Sequence, residues 1–467
     1  MTMAIVPAER ASSDHPSAPD IPAGDQLHRV ATRKAMLRLL PVLGVIYFMS
    51  YVDRTNIAMA KTHLQADVGI SVAAFGLGAG LFFIAYACLQ VPANLMMYRL
   101  GARRWMTTIA LLWGSVTTLM MFVSNDITFY VLRILLGAFE AGLYPAILFM
   151  VTQWFAQQDR GTAVGFVQAA SCLGVILGAP LGGFLMGFHG VAGLHGWQWM
   201  FLLEGIATIV IGLSLLLLLP NRPRDARWLN TQEADALEAR ADSGNPQPGE
   251  TALRGNLWKA FGRPFILIIG FIYFLNQVVI NGLSFNVPAI IEGMDISSTA
   301  VIGLLSGATA IGSLVGVLVA PRIARRMADE TFLIGAMTLG CAVFAVLALA
   351  TPSFALQLVC MTFIGGLATG CIPVFWSVAM PRMTGLMAAA GLAFINTIGQ
   401  FGGFFGPYAF GMVETQTGDP MSGLWVIMVA AVLGGALAWP LKRAVRREDA
   451  TTGSEVTESA TAPSDNR

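Results

Sequence analysis

The chain has 467 residues, of which 55% are hydrophobic and 12% are charged, and its mean hydropathy is +0.66. Soluble domains carry about 25% charged residues, so this composition excludes a water-soluble globular protein. The formal net charge of +1 gives no case for a basic, nucleic-acid-binding protein. The apolar residues fall into separate runs of about 20, each long enough for a helix to cross roughly 30 Å of hydrocarbon, which predicts repeated membrane spans.

Twelve spans are predicted in chain order, in two groups of six. Residues 1–35 are polar and lack the apolar core of a signal peptide, so they predict a disordered cytoplasmic tail. Residues 36–220 predict a six-helix bundle, with runs near 36–60, 72–97, 105–123, 127–150, 161–186 and 198–220. A polar cytoplasmic linker follows at 221–263, including the helix-like stretch TQEADALEARAD.

The second six-helix bundle is predicted at residues 264–441, with runs near 264–290, 298–321, 331–350, 354–379, 386–412 and 422–441. Residues 442–467 have the low hydrophobicity and Ser/Thr/Glu bias of a disordered tail. The predicted fold class is an all-α integral membrane protein, in which twelve transmembrane helices form two pseudo-symmetric halves.

Basic residues predict how the chain lies in the membrane, because Lys and Arg are retained on the cytoplasmic side. The clusters YRLGARR (98–104) and PRIARR (321–326) fall in predicted inner loops, whereas the predicted outer loops hold only Lys61. This pattern predicts a multi-pass protein of the cell inner (plasma) membrane with both termini in the cytoplasm. Each cluster follows the second span of a half, which favours duplicated units around a midplane site. The alternative is that short cytoplasmic loops are simply basic.

Charged residues inside spans carry the functional argument, because each costs at least about 2.5–3.5 kcal/mol at a helix centre unless it has a partner or a polar cavity. Asp53 and Arg54 lie in the first span, and Arg133 and Glu140 lie in the fourth. Asp53 and Arg54 are neighbours, and neighbouring residues point about 100° apart on a helix. Arg133 and Glu140 are seven residues apart, which is two helical turns. Neither pair is therefore neutralised within its own helix.

The functional interpretation assigns Arg54 and Arg133 to carboxylate binding, because a guanidinium stays charged and offers a planar fork. Asp53 and Glu140 are then proton carriers, because burial favours a neutral carboxyl and a nearby arginine favours the ionised one. The alternative is that Asp53 with Arg133, or Arg54 with Glu140, forms a structural salt bridge. Buried ion pairs are poor stabilisers, which favours the functional interpretation.

The remaining polar residues give weaker signals. Glu204, near Trp197 and Trp199, is predicted to be a structural anchor at the outer interface. Isolated polar residues in spans more often hydrogen-bond between helices than contact a ligand. The isolated polar side chains in the predicted spans include Tyr51, Tyr86, Gln168, Ser171, Asn276, Asn281, Trp376, Ser377, Asn396 and Gln400. Gly312 and Gly316 form a GxxxG pair, which predicts close helix packing.

Five segments resemble the anion:cation symporter family of the major facilitator superfamily, and the resemblance extends from about residue 36 to 441. The segments are YVDRTNIA (51–58), YACLQVP (86–92), RLGARR (99–104), RILLGAFEAGLYPA (133–146) and GWQWMFLLEG (196–205). The resemblance implies a major-facilitator fold and proton-coupled uptake of an organic carboxylate. Family members carry sugar acids, tartrate-like hydroxy diacids, aromatic acids such as phthalate, or nicotinate.

The resemblance also implies roles for single residues. Asp53 and Glu140 resemble the family's protonation pair, and Arg54 and Arg133 its anion-facing arginines. Sugar-acid carriers contact substrate at the positions of Tyr51, Tyr86, Trp376 and Asn396. Ser171 falls where a glutamine contact is expected, with Gln168 one turn away. Tyr98 stands where the superfamily's loop motif usually has an aspartate, so the chemistry of that gate differs here.

The sequence contains no HExxH motif, nucleotide-binding loop or Ser/His/Asp set, so an enzyme is not expected. We expect no cofactor beyond protons as the coupling ion, a small organic acid and the lipid bilayer as partners, no nucleic acid, and function as a monomer. The leading alternative is a proton-driven efflux carrier of a drug or metabolite, although two buried arginines favour an anion over a lipophilic cation. A receptor or channel with the same spans is the rival from another class.

Overall fold

The computed structural model describes residues 23–242 and 264–461, apart from 295, 297, 328, 383 and 384. The described part of the chain is helical and contains no strand. Residues 1–22 and 462–467 of the predicted tails, and 243–263 of the predicted linker, lie outside it.

The first half contains seven helices that form six spans. They are α1 (Ala23–Val68), α2 (Val72–Leu100), α3 (Ala102–Leu119), α4 (Asp126–Glu140), α5 (Leu143–Trp154), α6 (Gln157–Met186) and α7 (Gly196–Leu218). Helices α4 and α5 make one span, interrupted by a turn at Ala141 and Gly142. The start of α4 is fixed by a capping box, in which the side chains of Asn125 and Thr128 each accept a backbone N–H of the other.

Helix α8 (Thr231–Asp242) lies in the linker, and the second half follows it. Its helices are α9 (Pro264–Ser284), α10 (Val287–Glu292), α11 (Thr299–Ala324), α12 (Glu330–Ala350), α13 (Phe354–Ala379), α14 (Gly385–Thr417), α15 (Leu424–Ala436) and α16 (Ala438–Thr461). Eleven helical segments of the described chain are long and apolar enough to cross a membrane. Helix α14 lies where the eleventh of the twelve spans was predicted, so the predicted all-α membrane fold is confirmed.

The two halves repeat one internal arrangement. In the first half α1 packs against α6, α2 against α4 and α3 against α7. In the second half α9 packs against α14, α11 against α13 and α12 against α15, which are the corresponding pairs. The predicted pseudo-symmetry of two six-helix units is therefore confirmed.

The GxxxG pair of α11 packs closely, as predicted. Gly312 lies against the backbone carbonyl of Thr362, and Gly316 against that of Gly366, both on α13. There is no room for a Cβ at either glycine, so the two backbones approach as closely as small residues allow.

We name the two ends of the bundle by what lies there. The linker face carries α8, which is joined to the start of α1 by an ion pair between Lys34 Nζ and Glu233 Oε1 at 2.6 Å. The distal face is the opposite end, where α1 ends at Val68 and α2 begins at Val72. Helix α1 runs from the linker face to the distal face, and each following span runs in the direction opposite to the span before it.

The halves meet through α2 with α14 and α6 with α11. A Cβ at Gly76 of α2 would lie 2.7 Å from the carbonyl oxygen of Pro407, and one at Gly80 would lie 2.9 Å from that of Phe404. On the other side, Gly303 of α11 lies against the carbonyl of Ala179. These contacts fall in the distal parts of the four helices, so the halves are closed against each other at the distal face.

Two predicted tails are corrected where the structure describes them. Residues 23–35 are the first turns of α1, with Ala31 and Ala35 fully buried, rather than part of a disordered tail. Helix α8 packs against α1, and Glu233 of α8 pairs with Lys34 in this segment. Residues 442–461 continue α16, which is held by an ion pair of 2.6 Å between Lys442 Nζ and Asp329 Oδ2. Burial acts to raise the pKa of Asp329, but hydrogen bonds from Lys442, Thr331 and a backbone N–H together lower it to about 2.

Candidate functional site

Four charged side chains gather in the middle of the first half: Asp53 and Arg54 from α1, and Arg133 and Glu140 from α4. We call them the charged quartet. Asp53, Arg133 and Glu140 are buried, and Arg133 and Glu140 share the buried face of α4, as their spacing predicted. Gly137 lies between them and is packed against the carbonyl of Phe82, so α2 closes one side of the quartet.

Arg54 and Glu140 form a direct ion pair between α1 and α4. Glu140 Oε2 accepts from Arg54 Nη2 at 2.8 Å and from Arg54 Nε at 3.0 Å, whereas Glu140 Oε1 has no hydrogen-bond partner among the described residues. One of the two salt bridges that the structural alternative predicted therefore forms. The Arg54 side chain is 21% exposed and the Glu140 side chain is 0% exposed, so the arginine is the partner that reaches open space.

Three aromatic rings surround the Arg54 guanidinium. Its Cζ lies 5.1 Å from the ring centroids of Tyr51 and Phe82 and 5.2 Å from that of Tyr86. A cation at this distance from an aromatic face is attracted by the ring quadrupole, by about 0.5–2 kcal/mol per contact. The structure thus brings two predicted substrate residues, Tyr51 and Tyr86, directly onto the predicted anion-binding Arg54.

Arg133 has a different environment. Its Nε donates to the backbone carbonyl of Gly78 and its Nη2 to that of Ala79, both at 3.3 Å. Its Cζ lies 4.8 Å from the centroid of the Phe82 ring. It is 1% exposed, so an anion reaches it only after α2 or Phe82 moves. Asp53 Oδ1 accepts a hydrogen bond from Thr117 Oγ1 of α3 at 2.8 Å. The assigned roles of Arg133 and Asp53 stay predictions.

The weaker candidates divide into two sets. Asn396 Nδ2 lies 3.4 Å from Gln90 Oε1, which is a contact between the halves. The Trp376 ring meets the Tyr273 ring edge-on, with 5.5 Å between the ring centroids. Asn396 and Trp376 both lie on helices of the second half. Their roles, like those of Tyr51 and Tyr86, stay predictions.

The other set lies apart from the quartet or is occupied locally. Ser377 Oγ donates to Glu330 Oε2 at 3.0 Å, next to the start of α12 at the linker face. Gln168 Nε2 donates to Ser171 Oγ at 3.0 Å, so these two side chains, one turn apart on α6, bond to each other. The structure does not bring Ser377 to the quartet.

Lys61 was predicted in an outer loop, and this is corrected. It lies inside α1, is 1% exposed, and its Nζ lies 2.5 Å from Glu414 Oε2 and 2.8 Å from Asn286 Oδ1. Glu414 is on α14 and Asn286 precedes α10, so this ion pair joins the two halves at the distal face. Sequence reasoning ended the first span one residue before Lys61, because a lysine at the end of an apolar run is usually solvated.

Glu204 was predicted to be an anchor at the outer interface, but the structure buries it inside the first half. It is 3% exposed, and its Oε1 accepts a hydrogen bond from Asn56 Nδ2 of α1. The interfacial bond is made by Trp197 instead, whose Nε1 donates to Asp67 Oδ2 at 2.9 Å. Sequence reasoning missed Asn56 entirely, although it lies one turn beyond Asp53 on the same helix.

The two six-span halves close against each other at the distal face and enclose buried charges, among which Arg54 is partly exposed. This arrangement is that of a secondary transporter of small solutes. A family profile described as Major Facilitator Superfamily matches residues 43–407. The chain therefore belongs to the major facilitator superfamily, as the sequence resemblance implied, and it is a multi-pass membrane transporter rather than an enzyme.

Curated relatives of nearly the same length are similar to this chain. A "Quinolone resistance transporter" of Acinetobacter baumannii is 33% identical over 90% of this chain and 96% of its own. A "Putative tartrate transporter" of Agrobacterium vitis is 33% identical over 90% and 93%. The "Inner membrane transport protein RhmT" of Escherichia coli is 34% identical over 88% and 95%.

Solved structures share the fold. The crystal structure of a bacterial homologue of the human lysosomal transporter Spinster has a TM-score of 0.73 at 16% identity, covering 88% of this chain and 97% of its own. The crystal structure of a D-xylose–proton symporter has a TM-score of 0.67 at 18% identity, covering 86% and 97%. At these identities the likeness concerns the fold alone.

Proposed function

We propose that the protein takes up an organic carboxylate together with protons, by alternating access, across the inner membrane. The observation that carries this proposal is the Arg54–Glu140 pair, in which the arginine is partly open and the carboxyl is enclosed. The relative named as a putative tartrate transporter supports a carboxylate as the transported solute.

The geometry of the pair supplies a coupling mechanism. Both donors of Arg54 are directed at one oxygen of Glu140, and the other oxygen, Oε1, has no partner in the described structure. A proton that binds Oε1 removes the negative charge of Glu140 and weakens its hold on Arg54. The guanidinium is then available to a substrate carboxylate, whose two oxygens match its planar fork. Proton binding and anion binding therefore favour each other.

A second acid and arginine lie behind the first. Phe82 contacts both guanidinium groups, at 5.1 Å from Arg54 and 4.8 Å from Arg133. A movement of α2 that displaces Phe82 would expose Arg133 and, through it, Asp53. We assign Asp53 to the second proton-carrying position and Arg133 to the second anion contact, which is reached when the halves rearrange.

The orientation in the membrane follows from the basic residues. Lys34, Arg103 and Arg160 lie at the linker face, so the linker face and both termini are assigned to the cytoplasm. The structure is then closed to the outside through its distal face. Substrate and protons bind when the distal face is open and are released when it is closed. The halves of one chain complete this cycle, so a monomer is sufficient.

Efflux is the second candidate, because one relative is named a quinolone resistance transporter. Quinolone antibiotics carry a carboxyl group, so Arg54 could meet such a drug by the same chemistry. The two functions differ in the direction of coupled movement. Import is favoured here because the proton-loaded state of Glu140 is the one that frees Arg54 for an anion.

Transport by purified protein in liposomes tests the proposal. The solutes are labelled tartrate, gluconate, phthalate, nicotinate and a quinolone, and the driving force is an imposed pH gradient. Accumulation of an acid against its gradient when the outer solution is acidic supports symport. Movement of the quinolone against the proton flow identifies efflux instead, and movement that only equalises concentrations contradicts both.

The coupling residue is tested in the same liposomes with Glu140→Gln, which keeps the shape of the side chain but cannot exchange a proton. We expect the variant to keep exchange of labelled for unlabelled acid and to lose at least tenfold in proton-driven accumulation. Glu330→Gln at the linker face is the control and should behave as the wild type. Accumulation by Glu140→Gln at the wild-type level would show that this carboxyl does not couple the proton.

A further inference from the structure

Glu204 and Asn56 form a buried acid and amide pair outside the charged quartet. Glu204 is on α7 and is 3% exposed, and Asn56 is on α1 and is fully buried. Asn56 Nδ2 donates to Glu204 Oε1. Two atoms of the pair, Glu204 Oε2 and Asn56 Oδ1, are buried and have no hydrogen-bond partner in the described structure.

The inventory of donors and acceptors shows what the pair lacks. An ionised carboxylate and an amide oxygen are both acceptors, so they cannot satisfy each other. One proton on Glu204 supplies an O–H donor for Asn56 Oδ1, while Asn56 Nδ2 continues to donate to the other carboxyl oxygen. A single proton therefore satisfies both unpartnered atoms. Each buried polar atom without a partner costs about 1–3 kcal/mol, so burial favours the protonated form of the Glu204–Asn56 pair.

The partner of Glu204 is suited to both protonation states. An amide has a donor and an acceptor end of almost the same shape, so Asn56 can serve the ionised or the neutral carboxyl. The amide fits against α6 because Gly182 has no side chain, and a Cβ there would lie 2.5 Å from Asn56 Oδ1. Glu140, by contrast, is paired with a permanent cation, which favours its ionised form.

The pair lies next to a member of the quartet. Asn56 is three residues beyond Asp53, so the two lie on one face of α1 at a rise of about 4.5 Å. Thr117 Oγ1 of α3 donates to Asp53 Oδ1, and the next residue of α3, Thr118, places its Oγ1 beside Gly205, the neighbour of Glu204 on α7. The acids Glu204 and Asp53 therefore lie one after the other in the packed interior between α1, α3 and α7.

We propose that Glu204, held by Asn56, is a third protonation site of the transporter and exchanges its proton with Asp53 during the transport cycle. In this step the Glu204 O–H bond breaks and an O–H bond forms on an Asp53 oxygen, so charge and proton are conserved between the two carboxyls. The assignment rests on the proposed proton coupling for its place in the cycle, but the protonation of Glu204 does not depend on the transported solute.

Infrared difference spectroscopy tests the protonation directly. The purified protein without substrate is titrated with acid and base, and the C=O band of buried protonated carboxyl groups is followed. We expect Glu204→Gln to remove one component of the titrating band, and the control Thr208→Val, a buried neighbour one turn along α7, to retain it. An identical titrating band in wild type and Glu204→Gln would overturn the proposal.

Transport measurements separate a proton role from a packing role. In liposomes with the acid that the wild type accumulates best, Glu204→Gln should keep exchange and lose at least tenfold in accumulation, and Glu204→Asp should restore accumulation with a changed pH profile. Loss of exchange as well in Glu204→Gln and Glu204→Asp would show a structural role and overturn the proposal. If the wild type accumulates no acid, the proposed symport fails, while the infrared result still decides the protonation of Glu204.

Discussion

Arg54 and Arg133 carry the same guanidinium group, but their surroundings give them different capacities. Arg54 is 21% exposed and is bound to a carboxyl that can take a proton, so its partner is exchangeable. Arg133 is directed at two backbone carbonyls, which carry no proton to exchange. The first contact of an incoming anion is therefore expected at Arg54, and its binding geometry can be tested there.

Arg54→Lys is expected to raise the half-saturating substrate concentration at least tenfold, with a smaller effect on maximal rate. A lysine keeps the positive charge but loses the planar fork, and one charged hydrogen bond is worth about 1.5–3 kcal/mol, or roughly tenfold to a hundredfold in affinity. The measurement is the concentration dependence of initial uptake in liposomes. Arg160→Lys, at the linker face, is the matched control. An unchanged half-saturating concentration in Arg54→Lys would place the anion elsewhere.

The sequence could identify the charged quartet because charge inside an apolar run is rare and costly. It could not identify the partners, because Arg54 pairs with a residue 86 positions away and Lys61 with one 353 positions away. Lys61 and Glu414 each fall near the end of a predicted span, where a charge needs no partner. Only the fold shows that Lys61 and Glu414 are buried against each other.

Helix α1 links most of the polar features of the first half. It is a helix of 46 residues that carries Lys34 at the linker face, Asp53 and Arg54 at the centre, and Lys61 near the distal face. The predicted span at 36–60 was shorter because charged residues were taken as helix ends. Tertiary partners pair with those charges, Glu233 with Lys34 and Glu414 with Lys61, and the helix continues past them in both directions.

The docking of α8 onto α1 gives a prediction about pH. The hydrogen bond from Lys34 lowers the pKa of Glu233, so the folded value is below the unfolded one. Its stabilising effect is present at neutral pH and is lost as pH falls through the folded value. Because Lys34 is 43% exposed, the pair is worth about 0–1 kcal/mol. Glu233→Gln should therefore increase hydrogen exchange in residues 231–242 by up to about fivefold at neutral pH and remove its acid dependence.

The exposed pair between Asp235 of α8 and Arg224, which precedes that helix, supplies the control for that experiment. Its side chains are 65% and 50% exposed, so Asp235→Asn should leave the exchange of α8 nearly unchanged. Equal exchange in Glu233→Gln and wild type at neutral pH would mean that apolar packing alone holds α8.

The closed distal face depends on two kinds of contact. Small residues allow backbones of opposite halves to touch, as at Gly80 and Gly303. The buried ion pair of Lys61 and Glu414 adds a charged contact, with Asn286 as a third partner. The sequence predicted the two halves from the single long polar interruption and the repeated basic clusters, but not which face is closed, because both arrangements use the same helices.

Alternating access requires the Lys61–Glu414 pair to separate when the distal face opens. Removing one partner leaves the other charge buried and unpaired, which costs about 3–5 kcal/mol in the closed state, whereas water hydrates that charge in the open state. Lys61→Met should therefore shift the equilibrium toward the distal-open state by a factor of about a hundred or more. The double variant Lys61→Met with Glu414→Leu leaves no unpaired charge and should move part of the way back.

Thiol labelling measures this shift if a cysteine replaces Thr299, whose Oγ1 donates to the carbonyl of Gly183 at 3.2 Å across the distal contact. The background is a variant without the five native cysteines, and a membrane-impermeant maleimide is added from the distal side. Labelling should be faster in Lys61→Met than in the parent, and slower again in the double variant. Lys34→Met, which breaks a pair between α1 and the linker helix α8, should label as the parent does. Equal labelling of Lys61→Met and the parent would mean that the glycine contacts close the distal face without the ion pair.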